Sequence, residues 1–493
     1  MIYPGRKEFM KLARKGNLIP VYKEIRADFD TPLSSFMKID DGTYSYLLES
    51  VEGGERLARY SFLGNDPSMI FESKGKEIRI RENGRTRCFT ANRDPLSEIK
   101  DIMRKYRYVG VKGLPRFSGG LVGYMGYDMV RFFERLPAAA KDDLGLPDSV
   151  FVLTDTILIF DHVERVIKIV SNAHVDSSPA RAYRDAVMKI GRLENQLNKV
   201  IFSVKRDGRA GRKALRIKSN VSKTRFKRMV TKAKEYIKKG DIIQTVLSQR
   251  LSADICSKPF DIYRALRSIN PSPYMFYLNF GKLNLVGSSP EIMVRTEDGL
   301  VEVRPIAGTR PRGRDDAEDA RLVGDLLKDP KERAEHIMLV DLGRNDIGRV
   351  SKFNTVKTRE LMAIEKYSHV IHIVSDVAGV LRKNKDMFDV IRATFPAGTV
   401  SGAPKIRAME IIDELEPVRR GPYAGGVGYF SFSGNQDFCI TIRTIVIKDQ
   451  KAYVQAGAGI VADSKPEREY HETMNTARAL LKAIERAEND SGY

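Results

Sequence analysis

The sequence predicts an α+β fold in which antiparallel sheets are covered by helices. Short alternating runs of apolar residues, such as residues 150–161 and 165–175, follow one another in pairs, which is typical of hairpin strands. Amphipathic stretches at helical spacing are interleaved with these pairs. Because strands and helices do not alternate one by one, as the parallel sheet of an α/β protein requires, the antiparallel arrangement is favoured.

The helices can be placed from their capping residues and their apolar spacing. The clearest one begins after Ser222, carries apolar residues at helical intervals from Phe226 onward, and ends at Gly240. A strand at residues 242–251 follows, and then a helix at 260–269 that stops before Asn270–Pro271. Further helices are predicted near residues 316–327, 331–342, 403–414 and 466–486, and strands at 283–295, 368–380, 425–432 and 451–461.

A basic stretch divides the chain near its middle. We predict an N-terminal domain over residues 1–202, a linker over 203–220 and a second domain over 221–493. The net charge is +20, and the densest basic run, residues 205–218, holds seven basic residues and one acidic residue. That run has no aromatic residue to stack on bases, so a solvated linker is favoured over a nucleic-acid site.

Composition excludes several classes of protein. No apolar run reaches the roughly 18 residues of a membrane-spanning helix, and the first residues lack the apolar core of a secretory signal. The three cysteines, Cys88, Cys256 and Cys439, are widely spaced and odd in number, which disfavours a disulfide framework. We therefore predict a cytoplasmic protein.

Two pairs of glutamates give the clearest chemical signal. Glu332 and Glu335 lie three positions apart in one predicted helix. Glu469 and Glu472 repeat that spacing in the last helix, so each pair shares one helix face. Two such helices could form an oxygen-rich site for Mg²⁺, which binds one or two carboxylates together with water and a substrate anion. The alternative is that both pairs are solvated helix faces.

Histidines and glycine-rich loops narrow the chemistry further. His369 and His372 lie in a predicted strand, where positions i and i+3 face opposite sides, so the two rings cannot bind one zinc ion together. Residues 396–405 place backbone amides before a predicted helix, which suits a carboxylate. Residues 455–463 imitate a dinucleotide fingerprint but open no helix. The residues alone therefore indicate a Mg²⁺-assisted enzyme acting on a small carboxylate.

Longer motifs make a family resemblance specific. In the second half they are PIAGTR (305–310), RAEHIMLVDLGRNDIGRV (333–350), PAGTVSGAPK (396–405), GGVGYF (425–430), DFCITIRT (437–444) and QAGAGIVADSKPEREYHET (455–473). They resemble the chorismate-binding domain of anthranilate, aminodeoxychorismate and isochorismate synthases. The first half carries LLES (47–50), RYSFLGNDP (59–67) and GGLVGYMGYD (119–128), which are similar to the N-terminal domain of anthranilate synthase large subunits, component I.

The resemblance implies a fold of two orthogonally packed antiparallel sheets flanked by helices, in α/β/β/α layers. It implies a Mg²⁺-dependent enzyme that converts chorismate and ammonia to anthranilate and pyruvate, the first committed step of tryptophan biosynthesis, under feedback inhibition by tryptophan. The chain carries no glutaminase nucleophile motif. A separate glutamine amidotransferase subunit is therefore expected, in a heterotetramer of two large and two small subunits, with neither nucleic acid nor membrane as a partner.

The resemblance also implies a metal site and a general acid. Glu335 and Glu472 match the family's Mg²⁺ ligands. Glu332 and Glu469 match the carboxylates that hold water molecules of the metal. Glu291 matches the acid that protonates the departing ring hydroxyl.

Substrate and inhibitor contacts are implied in the same way. His372 matches the active-site histidine. The substrate contacts are Gln244, Gly308, Thr309, Tyr429, Arg443, Gly457, Ala458 and Gly459, of which Tyr429, Arg443 and the glycine-rich backbone resemble a clamp on the enolpyruvyl carboxylate. The residues that match the tryptophan pocket are Glu49, Ser50, Pro273, Tyr274 and Met275, within or beside the LLES and NPSPYM segments.

Rival functions differ from this one at single positions. Aminodeoxychorismate synthases carry Lys at the position of Ala307, and isochorismate synthases carry Lys at the position of Gln244, so anthranilate synthesis is favoured over both. Four residues after Glu472 the family commonly has Lys where this chain has Thr476, so one basic substrate contact is missing. Outside the family, the alternative is a basic nucleic-acid-binding protein on an inactive enzyme fold.

Overall fold

A computed structural model describes residues 1–51, 59–199, 215–367 and 370–489. Most of the predicted linker and His369 lie outside the described residues. The helices are α1 (Arg6–Leu12), α2 (Pro32–Ile39), α3 (Pro95–Met103), α4 (Pro179–Leu197), α5 (Lys223–Lys238), α6 (Pro259–Ile269), α7 (Asp316–Lys328), α8 (Pro330–Gly348), α9 (Met387–Thr394), α10 (Lys405–Leu415) and α11 (Pro466–Asn489). Short 3₁₀ turns lie at Tyr127–Phe132 and Gly398–Val400.

The strands fall in both halves of the chain. Those before the basic stretch are β1 (Ile2–Tyr3), β2 (Leu18–Arg26), β3 (Tyr44–Glu49), β4 (Tyr60–Gly64), β5 (Met69–Lys74), β6 (Glu77–Glu82), β7 (Arg85–Thr90), β8 (Gly120–Met125), β9 (Ser149–Thr154), β10 (Thr156–Asp161) and β11 (Val166–His174). Those that follow are β12 (Lys218–Ser219), β13 (Gln244–Asp254), β14 (Tyr274–Phe280), β15 (Leu283–Ser289), β16 (Ile292–Glu297), β17 (Leu300–Val303), β18 (Ile306–Pro311), β19 (Lys357–Lys366), β20 (Val370–Val380), β21 (Gly402–Ala403), β22 (Gly426–Ser431), β23 (Gln436–Ile440), β24 (Thr444–Lys448) and β25 (Lys451–Ile460).

These strands form two antiparallel sheets, as the sequence predicts. The first has thirteen described strands, in the order β1-β2-β11-β10-β4-β3-β14-β15-β24-β25-β13-β12, with β21 beside β13. The second has twelve, in the order β18-β20-β17-β16-β23-β22-β8-β9-β5-β6-β7, with β19 beside β20. Each sheet takes strands from both halves of the chain, so the two predicted domains share their sheets. The domain boundaries stay a prediction.

Apolar side chains pack in three places, between the two sheets and on the outer face of each sheet. Large side chains of both sheets, such as Tyr46, Leu285 and Tyr124, pack together in the middle. On the outer face of the first sheet, apolar residues of α1, α4, α6 and α11 join one cluster. The outer face of the second sheet packs on α3, α8 and α9. The helices therefore flank a pair of sheets, which confirms the predicted fold class.

Local sequence explains how the two glutamate-bearing helices begin. The side chain of Asp329 accepts hydrogen bonds from the backbone N–H groups of Lys331 and Glu332, and Pro330 opens the first turn of α8. α11 opens with Pro466 and packs on α5, α6 and β25. Each glutamate pair therefore lies in the first turns of a helix that is anchored against a sheet or another helix.

The structure also describes the cysteines and the apolar character of the helices. Cys88 and Cys256 are exposed, Cys439 is buried, and all three are unpaired. Among the helices of the described ranges, none combines the length and the apolar character that a bilayer span needs.

Candidate active site

Two helices bring four glutamates together. α8 carries Glu332 and Glu335, and α11 carries Glu469 and Glu472. Burial, reinforced by the nearby carboxylates of Glu469 and Glu335, raises the pKa of Glu472 to about 7. The pKa of Glu335 is also raised, mainly by burial, and Glu332 and Glu469 add to the effect. The two pairs therefore face each other across one cleft.

This group of carboxylates fits a hard divalent cation. A bound positive charge offsets the burial and the repulsion that raise the pKa values of Glu335 and Glu472, and carboxylate oxygens are the ligands that Mg²⁺ prefers. Across the residues that the structure describes, no three His, Cys, Asp or Glu side chains are close enough to hold a metal ion as they stand. Binding a cation here therefore requires the side chains of the two helices to close on it.

The start of β13 and the end of β25 form the floor of the cleft. Gln244 begins β13, and its Nε2 donates to Oε1 of Glu335 at 3.0 Å. A Cβ atom on Gly459 would stand 2.6 Å from that Nε2, and one on Gly457 would stand 2.6 Å from the hydroxyl of Tyr423. Glycine at both positions therefore lets the backbone of β25 approach polar side chains closely.

Glu291 is a buried carboxyl between β15 and β16. Burial raises its pKa to about 8, and the Thr399 hydroxyl, the backbone of Ile306 and the Arg443 guanidinium act against that rise. The side chain is therefore protonated at neutral pH. Glu291 and Thr399 line one small cavity of about 40 Å³, and the hydroxyl of Thr399 is buried close to the Glu291 carboxyl. A protonated carboxyl beside a buried hydroxyl suits a polar group of a bound molecule.

His372 faces the same cleft from β20. Its Nδ1 lies 3.0 Å from Oγ1 of Thr309 and 3.2 Å from the carbonyl oxygen of Gly308. Burial lowers the pKa of His372, so its imidazole is neutral at pH 7. Gly308 has φ +74°, and a Cβ atom there would stand 3.3 Å from Oε2 of Glu332. The bulged strand β18 therefore connects the histidine to the glutamate cluster.

Arg443 and His372 share a cavity of about 200 Å³, which we call the inner cavity. Tyr367 lies on one side of it, and Asn475 and Thr476 of α11 lie on another. Thr476, the residue that stands where relatives commonly carry Lys, is therefore at this cavity. The loop of residues 270–273 forms a further wall.

A second cavity of about 540 Å³, the large cavity, gathers all the residues predicted for tryptophan. Its lining includes Glu49, Ser50, Pro273, Tyr274 and Met275. The carboxylate of Glu49 there accepts hydrogen bonds from the hydroxyl of Tyr263 and from Nε of Arg267, the latter at 3.1 Å.

The structure corrects the predicted position of Tyr429. Its ring stacks on Phe117 with centroids 4.1 Å apart, its hydroxyl accepts from Nε of Arg116 at 3.2 Å, and the side chain lines the large cavity. Tyr429 points into the space between the two sheets, like Val427 two positions earlier on β22. Tyr429 therefore lines the large cavity whereas Arg443 lines the inner cavity, so the structure does not bring together the two residues of the predicted carboxylate clamp.

Sequence reasoning missed two residues of the cleft and placed one on the wrong side. Thr399 and Tyr423 lie within or next to the motifs PAGTVSGAPK and GGVGYF, so their positions could have been suspected. The motifs alone do not tell which side chains face inward. Ala458 packs its side chain in an apolar cluster with Phe226 and Ile412, so only its backbone can face a ligand.

The chain is similar to known proteins over nearly its whole length. A family model described as chorismate binding enzyme matches residues 43–482. Anthranilate synthase component 1 of Acetivibrio thermocellus is 53% identical, over 99% of both chains, and that of Aquifex aeolicus is 49% identical, over 98% of both. The crystal structure of anthranilate synthase component I from Streptococcus pneumoniae superposes with a TM-score of 0.74 at 36% identity, covering 93% of this chain and 99% of that one.

The matched region spans both halves of the chain and contains every residue of the cleft described above. Full-length identity near one half leaves no part of the fold without a counterpart in these relatives. The chain belongs to the chorismate-binding enzyme family, in its anthranilate synthase component 1 branch.

Proposed function

We propose that this chain is the chorismate-converting subunit of an anthranilate synthase, which forms anthranilate and pyruvate from chorismate and ammonia. The observation that carries the proposal is the meeting of four glutamates, a protonated Glu291 and a neutral His372 around one cleft. The similarity to anthranilate synthase component 1 over the full length supports the same reaction.

The four glutamates are proposed to hold Mg²⁺. Glu335 and Glu472 would bind the ion, and Glu332 and Glu469 would hold its water molecules. The ion would supply positive charge against the ring carboxylate of chorismate. Gly308 lies next to Glu332, and its backbone and the Thr309 hydroxyl would contact the substrate there.

Glu291 is the proposed general acid. Because its raised pKa keeps the carboxyl protonated at neutral pH, it can give its proton to the ring hydroxyl, which leaves as water while ammonia forms the new C–N bond. In the second step the enolpyruvyl side chain leaves as pyruvate and the ring loses a proton. His372 is neutral and shares the inner cavity with Arg443. It can therefore accept the proton that the ring loses in this step.

The enolpyruvyl carboxylate is proposed to bind Arg443 and the backbone of residues 457–459. A guanidinium and backbone N–H groups both make strong hydrogen bonds to a carboxylate. The Tyr423 hydroxyl lies next to Gly457 and can take the part that sequence reasoning gave to Tyr429. Neither Ala307 nor Gln244 offers an amine, so ammonia rather than a lysine or an activated water is the expected nucleophile.

A separate glutamine amidotransferase subunit is the proposed source of ammonia, in a complex of two subunits of each kind. Purified alone, this chain is expected to form anthranilate from chorismate, Mg²⁺ and ammonium salts but not from glutamine. Fluorescence of anthranilate measures both reactions. The ammonium-dependent rate should increase with pH as free ammonia increases. Glutamine-dependent synthesis by the isolated chain would contradict the proposed division of labour.

The large cavity is the proposed site of tryptophan inhibition. Its apolar lining from Met275, Phe276 and Phe62 suits an indole ring. The buried carboxylate of Glu49 suits the ammonium group of an amino acid, and Arg116 suits its carboxylate. Charged groups of both signs at one apolar cavity are the chemistry that an aromatic amino acid requires.

A further inference from the structure

The inner cavity and the large cavity share one wall. Asn270, Pro271, Ser272 and Pro273 all line the inner cavity, beside His372 and Arg443. Pro273 also lines the large cavity, together with the next two residues of β14. We call residues 270–273 the wall segment. A molecule that fills one cavity therefore contacts a segment that also lines the other cavity.

Ser288 of β15 holds the wall segment in place. Its side chain is fully buried, and its hydroxyl donates to the carbonyl oxygen of Asn270. The same hydroxyl oxygen lies 3.0 Å from Nδ2 of Asn270 and 2.8 Å from Oγ of Ser272. A hydroxyl has one donor hydrogen and two acceptor lone pairs, so these contacts use its full capacity.

The backbone of Ser288 supports Arg443. Its N–H group donates to the carbonyl oxygen of Arg443 at 3.1 Å. Arg443 has φ +48°, a left-handed conformation that a residue with a side chain keeps only where its surroundings hold it. One residue of β15 therefore fixes both the wall segment and the arginine of the inner cavity.

The wall segment is also hydrogen-bonded to a residue beside the large cavity. The N–H group of Val51, next to Ser50, donates to the carbonyl oxygen of Ser272 at 3.3 Å. Hydrogen bonds thus lead from the end of β3, through Ser272, to Ser288 and on to Arg443. Ser272 and Ser288, at the centre of this path, are buried, so a displacement of the wall segment is transmitted through packed side chains.

We propose that Ser288 is a positioning residue that couples tryptophan in the large cavity to chorismate binding at Arg443. The inference rests on the proposed function and deepens its regulation. With the wall segment seated on Ser288, Arg443 is held for the substrate carboxylate. Tryptophan against Pro273 and Met275 favours a displaced wall segment, which weakens that support. Because the coupling is reciprocal, chorismate disfavours tryptophan by the same factor.

The test is Ser288→Ala in the full-length enzyme. Calorimetry gives the Kd of tryptophan, and anthranilate formation gives the KM of chorismate with and without saturating tryptophan. We expect the Kd of tryptophan to stay within about threefold, while the factor by which tryptophan raises KM falls about tenfold. Ser272→Ala removes one contact of the wall segment and should act in the same direction with a smaller effect.

Two controls separate coupling from binding and from packing. Ser171→Ala removes a buried hydroxyl from β11 of the same sheet, which lines neither cavity, and should leave the coupling factor unchanged. Ser50→Phe fills the large cavity and should abolish tryptophan binding itself. An unchanged coupling factor in both Ser288→Ala and Ser272→Ala, or a loss of tryptophan binding as large as the loss of inhibition, would overturn the inference. A wild-type enzyme that tryptophan does not inhibit would instead contradict the proposed function.

Discussion

Replacing Glu472 with Gln is expected to lower anthranilate formation about a thousandfold, because it removes one of the charges that the metal site needs. Glu335→Gln should have an effect of the same size, since Glu335 faces Glu472 from the other helix. The fold should be retained, because a neutral amide of the same shape relieves the repulsion within the cluster rather than adding strain. Steady-state rates at several Mg²⁺ concentrations, with circular dichroism of each variant, measure both effects.

Glu467→Gln is the matched control for these variants. Glu467 lies one turn earlier on α11, where it forms exposed ion pairs with Lys223 and Lys227. Exposed pairs of this kind contribute little, so the variant should keep nearly full activity. Near-normal turnover by Glu472→Gln or by Glu335→Gln would remove the metal site from this position.

Glu291→Gln is expected to lower kcat by a factor of about a hundred to ten thousand, since the amide cannot give up a proton to the leaving hydroxyl. The pKa of Glu291 is raised to about 8, so the acid is available below that pH and is lost as pH rises through it. With free ammonia held constant, kcat of the wild type should therefore fall above about pH 8. Glu291→Asp keeps a carboxyl group on a shorter side chain. Its kcat should lie between those of the wild type and of Glu291→Gln.

The pH profile distinguishes catalysis by Glu291 from a structural contribution. The fall at high pH should be absent from the residual activity of Glu291→Gln. If the variant keeps the wild-type profile, another group titrates and Glu291 is not the acid.

Local spacing predicts each glutamate pair, whereas the meeting of the two pairs was expected from the family resemblance. Glu332 and Glu335 share a face because residues three apart always do in a helix, and the motif match paired them with Glu469 and Glu472. The predicted cap at Ser222 is local too, since its side chain satisfies a backbone N–H group three residues ahead.

Features set by tertiary contact could not be predicted in this way. The helix predicted over residues 331–342 continues to Gly348, past Gly343. Glycine disfavours a helix, but a Cβ at Gly343 would stand 3.0 Å from the side chain of Val303, so the residue is there for close packing on β17. Tyr429 was misplaced for a related reason, because a motif does not reveal which sheet face meets the other sheet.

The sharing of sheets between the two halves of the chain also depends on distant pairings. β3 of the first half pairs with β14 of the second, and β8 pairs with β22. The division at residues 203–220 was predicted from the composition of that stretch. The order of strands in a sheet depends instead on which apolar faces can be buried together. The contact of Val51 with Ser272 extends the first of these pairings, and Ser288 pairs with Met275 on the other side of β14, so no linear motif indicates their connection.

The measurement that tests the central claim most directly is chromatography of the products formed from chorismate with Mg²⁺ and ammonium. The account predicts anthranilate and pyruvate in equal amounts, with little isochorismate, because Gln244 and Ala307 leave ammonia as the effective nucleophile. Gln244→Lys should suppress amination in the same assay. Accumulation of isochorismate, or of a 4-amino product that retains the enolpyruvyl side chain, by the wild-type chain would contradict the account.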